Sequence, residues 1–163
     1  MSAESTSLAP EATKPYQPIL WGGLLAGVLD ITAAFVNSAL VGQRSPMWVL
    51  QSIASALLGA DSYKGGLATA ALGAVLHFAI AFSACAVYYA ASRKLRFLVQ
   101  RAVVCGLLYG VTVYLFMYGI VLPLTFHRSF FHPLSAVVTG LIIHMLCVGL
   151  PIALVVRRYS MST

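Results

Sequence analysis

The sequence predicts an all-α membrane protein, a four-transmembrane-helix bundle with a short interfacial helix between spans 1 and 2. Three observations carry this. Of 163 residues, 60% are apolar and 9% charged, with a mean hydropathy of +0.90, whereas roughly a quarter of a typical soluble domain is charged. Four stretches, near 19–41, 66–91, 102–122 and 134–156, each supply the about twenty helical residues needed to cross a hydrocarbon layer of roughly 30 Å. None of them alternates polar and apolar residues, which favours helices over a barrel. The net charge of +6 falls in short clusters beside apolar runs, with no basic face interleaved with aromatics, so a nucleic-acid partner is excluded.

Residues 1–18 contain Glu4, Glu11, Lys14 and three prolines, and read as a retained, disordered cytoplasmic tail before a transmembrane domain at 19–158. Pro18 precedes the first span. In the first connection, Ser45 suits an N-cap, Pro46 the first helical position and Gly59 an αL terminator, which gives a helix over Met47–Leu58. That helix is too short to span, and Trp48 anchors it at the outer surface or in a shallow dip. The Gly65-Gly66 pair opens the second span, Pro123 closes the third, and His132-Pro133 opens the fourth.

Orientation follows from the flanking cations. Lys14, Arg93, Lys94, Arg96, Arg101, Arg157 and Arg158 lie on one side; Arg44, Lys64 and Arg128 lie on the other. Both termini are therefore expected in the cytoplasm of a bacterial inner membrane. The 93–101 cluster reads as a topology signal that contacts anionic lipid. The outer connection His127-Arg128-Ser129-Phe130-Phe131-His132 reads as an interface anchor rather than a surface metal site. Cys85, Cys105 and Cys147 show no paired spacing and read as small buried hydrophobes.

A small or polar stripe runs along every span, the feature by which helices approach one another in lipid. It comprises Gly23, Ala26, Gly27, Asp30, Asn37 and Ser38 on the first span, and Gly66, Thr69, Gly73, His77 and Ala81 on the second. The third offers Cys105, Gly106, Tyr109 and either Thr112 or Val113; the fourth offers Gly140, His144, Cys147 and Pro151. Asp30 falls about eleven residues from the cytoplasmic end of its helix, and His77 and His144 about eleven and ten from the outer end, so all three reach the midplane. A carboxylate there costs roughly 2.5–3.5 kcal/mol and needs a partner, for which a histidine is the obvious donor.

Three functions fit this constellation. Asp30, His77 and His144 can handle protons, ions or a small ligand, with Tyr109, Thr112 and Asn37 extending the relay. Alternatively, the two histidines clamp a b-type haem with Asp30 orienting a ring, or the same three residues hold a single metal ion. In the third reading, the small-residue faces dock this chain as an accessory or assembly subunit in a larger membrane complex. No nucleophile elbow or phosphate loop is present, so an enzyme of group transfer is not expected. A homo-oligomer or larger complex in the lipid bilayer is the expected state, because four spans are few for a lone transporter and carry no inverted repeat.

The strings Gly-Val-Leu-Asp-Ile (27–31), Leu-Gln-Ser-Ile-Ala-Ser-Ala-Leu-Leu-Gly (50–59), Ala-Thr-Ala-Ala-Leu-Gly-Ala-Val-Leu-His-Phe (68–78) and His-Met-Leu-Cys-Val-Gly-Leu-Pro-Ile-Ala-Leu (144–154) carry a resemblance. Over residues 19–158 the chain resembles small four-span bacterial inner-membrane proteins. The resemblance implies the span count and the inner membrane; it brings no activity, cofactor or catalytic residue.

Overall fold

The computed structural model describes residues 16–126 and 133–161, and every regular element in them is helical. The order is α1 (Gln17–Gly42), α2 (Pro46–Leu58), a 3-10 segment (Gly59–Lys64), α3 (Gly66–Lys94), α4 (Phe97–Gln100), α5 (Ala102–Phe116), α6 (Leu122–Phe126), α7 (Leu134–Ile143) and α8 (Leu150–Ser160). Two π-helical turns, Met117–Val121 and His144–Gly149, join α5 to α6 and α7 to α8. Four helices are thus long and apolar enough to cross a membrane: Gln17–Gly42, Gly66–Lys94, Ala102–Thr125 and Leu134–Ser160. Most of the expected tail and the whole 127–132 connection lie outside the described residues. The tail's last residues are helical, since α1 begins at Gln17 with Pro18 in its first turn, where a missing N–H costs nothing.

Pro123 does not close the third span. The helix continues to Thr125 because the π turn comes first: Leu122 donates its N–H to Met117 O, five residues back. A proline ring collides with the carbonyl four residues earlier in a regular helix, and the wider turn takes up that collision. The fourth span repeats the device, with Leu150 donating to Met145 O immediately before Pro151. In both spans a residue that would break a helix instead follows a widened turn.

The spans form a ring in chain order. α1 packs along α3 on one side and along α8 and the His144–Gly149 turn on the other; α5 packs along the same turn and α8, while α3 and α5 make few direct contacts. Glycine decides how closely the backbones approach. A Cβ at Gly23 would stand 3.0 Å from Phe82 Cα, and one at Gly110 would stand 2.5 Å from Met145 Cα and 2.7 Å from the His144 carbonyl carbon. Gly23 with Gly27, and Gly106 with Gly110, are small-xxx-small pairs, the motif that lets helices associate in lipid by close packing.

The outer faces are apolar: Leu40 is 79% exposed, Val41 81% and Leu67 77%, a surface suited to hydrocarbon. Two hydroxyls on those faces are satisfied within their own helices. Thr32 donates to Val28 O at 2.7 Å and Ser83 to Ala79 O at 2.7 Å, which removes the cost of an unpaired donor in lipid.

The short helix α2 starts as its sequence dictates, with Ser45 Oγ accepting from the Trp48 N–H at 3.2 Å and Pro46 in the first turn. Its end differs from the expected αL terminator. Gly59 takes φ 60° and ψ −147°, a region open essentially to glycine alone, and the chain runs on as the 3-10 segment. Outside, Trp48 stacks on Tyr63 at 5.7 Å and lies under the Arg44 guanidinium at 4.8 Å, an interfacial anchor. Inside, α2 presses on α3 where Gly73 has no Cβ: one there would stand 2.7 Å from the Leu50 carbonyl carbon. Gln51, 5% exposed, donates to Gly66 O at 3.1 Å and Thr69 Oγ1 at 3.4 Å. Gln51→Leu is expected to cost about 1 kcal/mol through these lost bonds, read as a lower melting temperature in detergent.

Candidate functional site

Asp30, His77 and His144, each near the middle of its span, line one cavity of about 120 Å³. Ala26 and Asp30 come from α1, His77, Ile80, Ala81 and Ala84 from α3, Val113 and Met117 from the third span, and His144 and Val148 from the fourth. Ile53 of α2 also lines it, so the short helix contributes a wall to the site instead of lying wholly on the outer surface.

Each imidazole is held by a backbone carbonyl. His77 Nε2 lies 2.9 Å from Gly27 O, tying α3 to α1, and His144 Nδ1 lies 2.9 Å from Gly140 O on its own helix. A carbonyl oxygen only accepts, so each contacting nitrogen carries the proton. In the neutral rings, His77 Nδ1 and His144 Nε2 are then the lone-pair nitrogens. The His144 ring also meets the edges of Tyr114 at 5.3 Å and Tyr118 at 6.1 Å, and those two tyrosines stack at 4.4 Å. Gly140 makes room for this, since a Cβ there would stand 2.6 Å from Tyr114 Cε2. His77 is braced similarly by the Phe78 ring at 5.4 Å.

The expected Asp–His bond is not formed. Both ring N–H groups bond carbonyls, and Asp30 makes no hydrogen bond or ion pair with any described residue. Asp30 lines the cavity. The remaining expected relay residues stand elsewhere. Tyr109 donates to Ala84 O at 2.8 Å and bridges α3 to α5 beside the cavity. Thr112 donates to Leu108 O at 3.0 Å on its own helix, and Asn37 lies about two turns beyond Asp30; neither lines the cavity. Sequence reasoning missed Met117, Tyr118 and Ile53. The Tyr114–Tyr118 spacing of four, which places both rings on one face, was the available signal for the tyrosines.

The donor set does not suit the expected cofactors. Among the described residues, no group of three or more His, Cys, Asp or Glu side chains is placed to hold a metal ion. The cavity of about 120 Å³ falls below the roughly 300–1,000 Å³ that encloses a drug-sized ligand, and a porphyrin is larger than most of those. Haem therefore does not fit between the two histidines.

The chain matches no protein-family model, no curated protein and no solved structure. The functional reading rests on the geometry of the site.

Proposed function

We propose that this integral membrane protein binds and releases protons at Asp30, with His77 and His144 as the accepting groups of the same cavity. The observation that carries the reading is the carboxyl: at mid-span, Asp30 lines the cavity with no hydrogen-bond donor among the described residues, alongside two imidazoles that each have one nitrogen without a partner among them. An intramembrane acid is costly and is by default functional. The cavity walls are mostly apolar, and Asp30, His77 and His144 are the polar groups that would hold water in it; its volume has room for a few waters, each taking about 30 Å³, which is what an acid needs to exchange protons.

Orientation and assembly belong to the same proposal. The excess of Lys and Arg at 93–101 and 157–158 puts that face, and both termini, in the cytoplasm of a bacterial inner membrane. A path across the bilayer asks for more than one ring of four helices, so we place the site in a homo-oligomer or a larger membrane complex. The experiment is proton flux into liposomes under an imposed potential. The wild-type protein is expected to carry flux above empty vesicles, and His77→Gln, which keeps an N–H for Gly27 O but loses the imidazole, is expected to lower it strongly. Wild-type flux equal to that of empty vesicles, with tight co-purification of one complex, would replace this reading with that of an accessory subunit.

A further inference from the structure

The geometry points to a binding site for an anionic phospholipid at the seam between α3 and α5, its acyl chain in a groove and its phosphate on the basic connection above. The groove has a volume of about 240 Å³ and runs from Cys105 to Thr112, about 10 Å of helix at 1.5 Å per residue. It exists because α3 and α5 make few direct contacts along this edge of the ring. Val87, Phe97, Leu98 and Leu108 supply apolar walls, with the Tyr88 and Tyr109 rings, 4.9 Å apart, between the helices.

The polar atoms of the groove are already satisfied inside the protein. Tyr88 donates to Leu98 O at 3.0 Å, Tyr109 to Ala84 O at 2.8 Å, Thr112 to Leu108 O at 3.0 Å, and Cys105 Sγ to Phe97 O at 3.7 Å. What remains for an occupant is hydrocarbon contact. A polar ligand would find no uncommitted hydroxyl or thiol proton among these residues.

Charge decides which lipid. Phe97 and Leu98, which line the groove, belong to α4, flanked by Arg96 as its N-cap and Arg101 as its C-cap; Arg93 and Lys94 form the last turn of α3. All four cations are exposed. Neither carboxylate among the described residues is near them: Asp30 is at mid-span, and Asp61 pairs with Lys64 at 2.9 Å in the connection on the far side of the ring. Basic residues at the edge of an apolar groove match a phosphate with an attached chain.

The test uses the full-length protein, stripped of lipid in detergent and mixed with phosphatidylglycerol or phosphatidylcholine of identical chains, with bound lipid counted by native mass spectrometry. One phosphatidylglycerol per chain is expected, retained about tenfold better than phosphatidylcholine, the equivalent of one to two well-placed cations. Arg96→Gln with Arg101→Gln is expected to erase that preference. Leu108→Trp and Val87→Trp, which fill the groove from opposite walls, are expected to release the lipid, and either one that remains folded serves. Equal retention of the two lipids by wild-type protein overturns the proposal, as does undiminished retention in a folded groove-filled variant. Glycerol phosphate raising the melting temperature as much as the intact lipid also overturns it, because the groove would then contribute nothing.

Discussion

Replacing Asp30 with asparagine is expected to abolish flux in liposomes while leaving the protein as stable as before, or more stable. The two side chains have the same shape, and no described residue hydrogen-bonds to the carboxyl, so the exchange breaks no bond in the protein. It removes a group whose burial costs roughly 2.5–3.5 kcal/mol on insertion scales, and any part of that cost still carried by the folded protein is recovered. Loss of function with unchanged or raised stability is the pattern of a residue kept for its activity. An acid retained as structural glue gives the opposite pattern: Asn at position 30 then lowers the melting temperature and leaves flux alone. Measuring both quantities on one preparation separates the two outcomes.

Gly110→Val is expected to produce the largest loss of stability of any single substitution in the third span. A Cβ at that position meets backbone, with Met145 Cα at 2.5 Å and the His144 carbonyl carbon at 2.7 Å. Backbone cannot turn aside as a flexible side chain can, so the two helices must separate. Overpacking of this kind costs typically 1–3 kcal/mol, and we expect the upper end, about 3 kcal/mol or more, because two backbones are driven apart. Displacement of His144 follows, so flux falls with stability. Gly119→Val, nine residues further along the same span, is the control: no described residue stands within 4 Å of a Cβ there, and its melting temperature should match the wild type. Equal destabilisation by both substitutions would mean that the third and fourth spans do not pack as described.

The four long apolar helices were legible because a helix meant to cross a bilayer needs a length and a hydropathy that no loop satisfies, and the mid-helix positions of Asp30, His77 and His144 followed from counting along straight helices. The contacts around them were not legible. Whether an imidazole bonds to a carboxylate or to a carbonyl depends on the approach of α1 to α3 at Gly27, a spacing of a few ångströms that no periodicity records. Spacing leaves Thr112 or Val113 inward; Val113 lines the cavity, while the Thr112 hydroxyl bonds to its own helix on an exposed face.

The π turns account for the rest. One extra residue in a turn rotates everything beyond it by about 100°, so face-counting through His144 drifts. Of the expected stripe Gly140, His144, Cys147 and Pro151, Pro151 is buried and Cys147 only half-buried, while Val148, Gly149, Ile152, Ala153 and Val156 are buried beside it. The same widening carries the third span past Pro123, which sequence alone marks as a stop.

The central claim is that the Asp30 carboxyl is in contact with water inside the bilayer and shares its cavity with two histidines. Infrared difference spectroscopy of the reconstituted protein during a pH titration tests it directly. The account predicts a protonated-carboxyl band that vanishes in Asp30→Asn, shifts on exchange into heavy water, and changes frequency when His77 is replaced by Gln. A band absent at every pH, or one indifferent to both heavy water and His77, would contradict it.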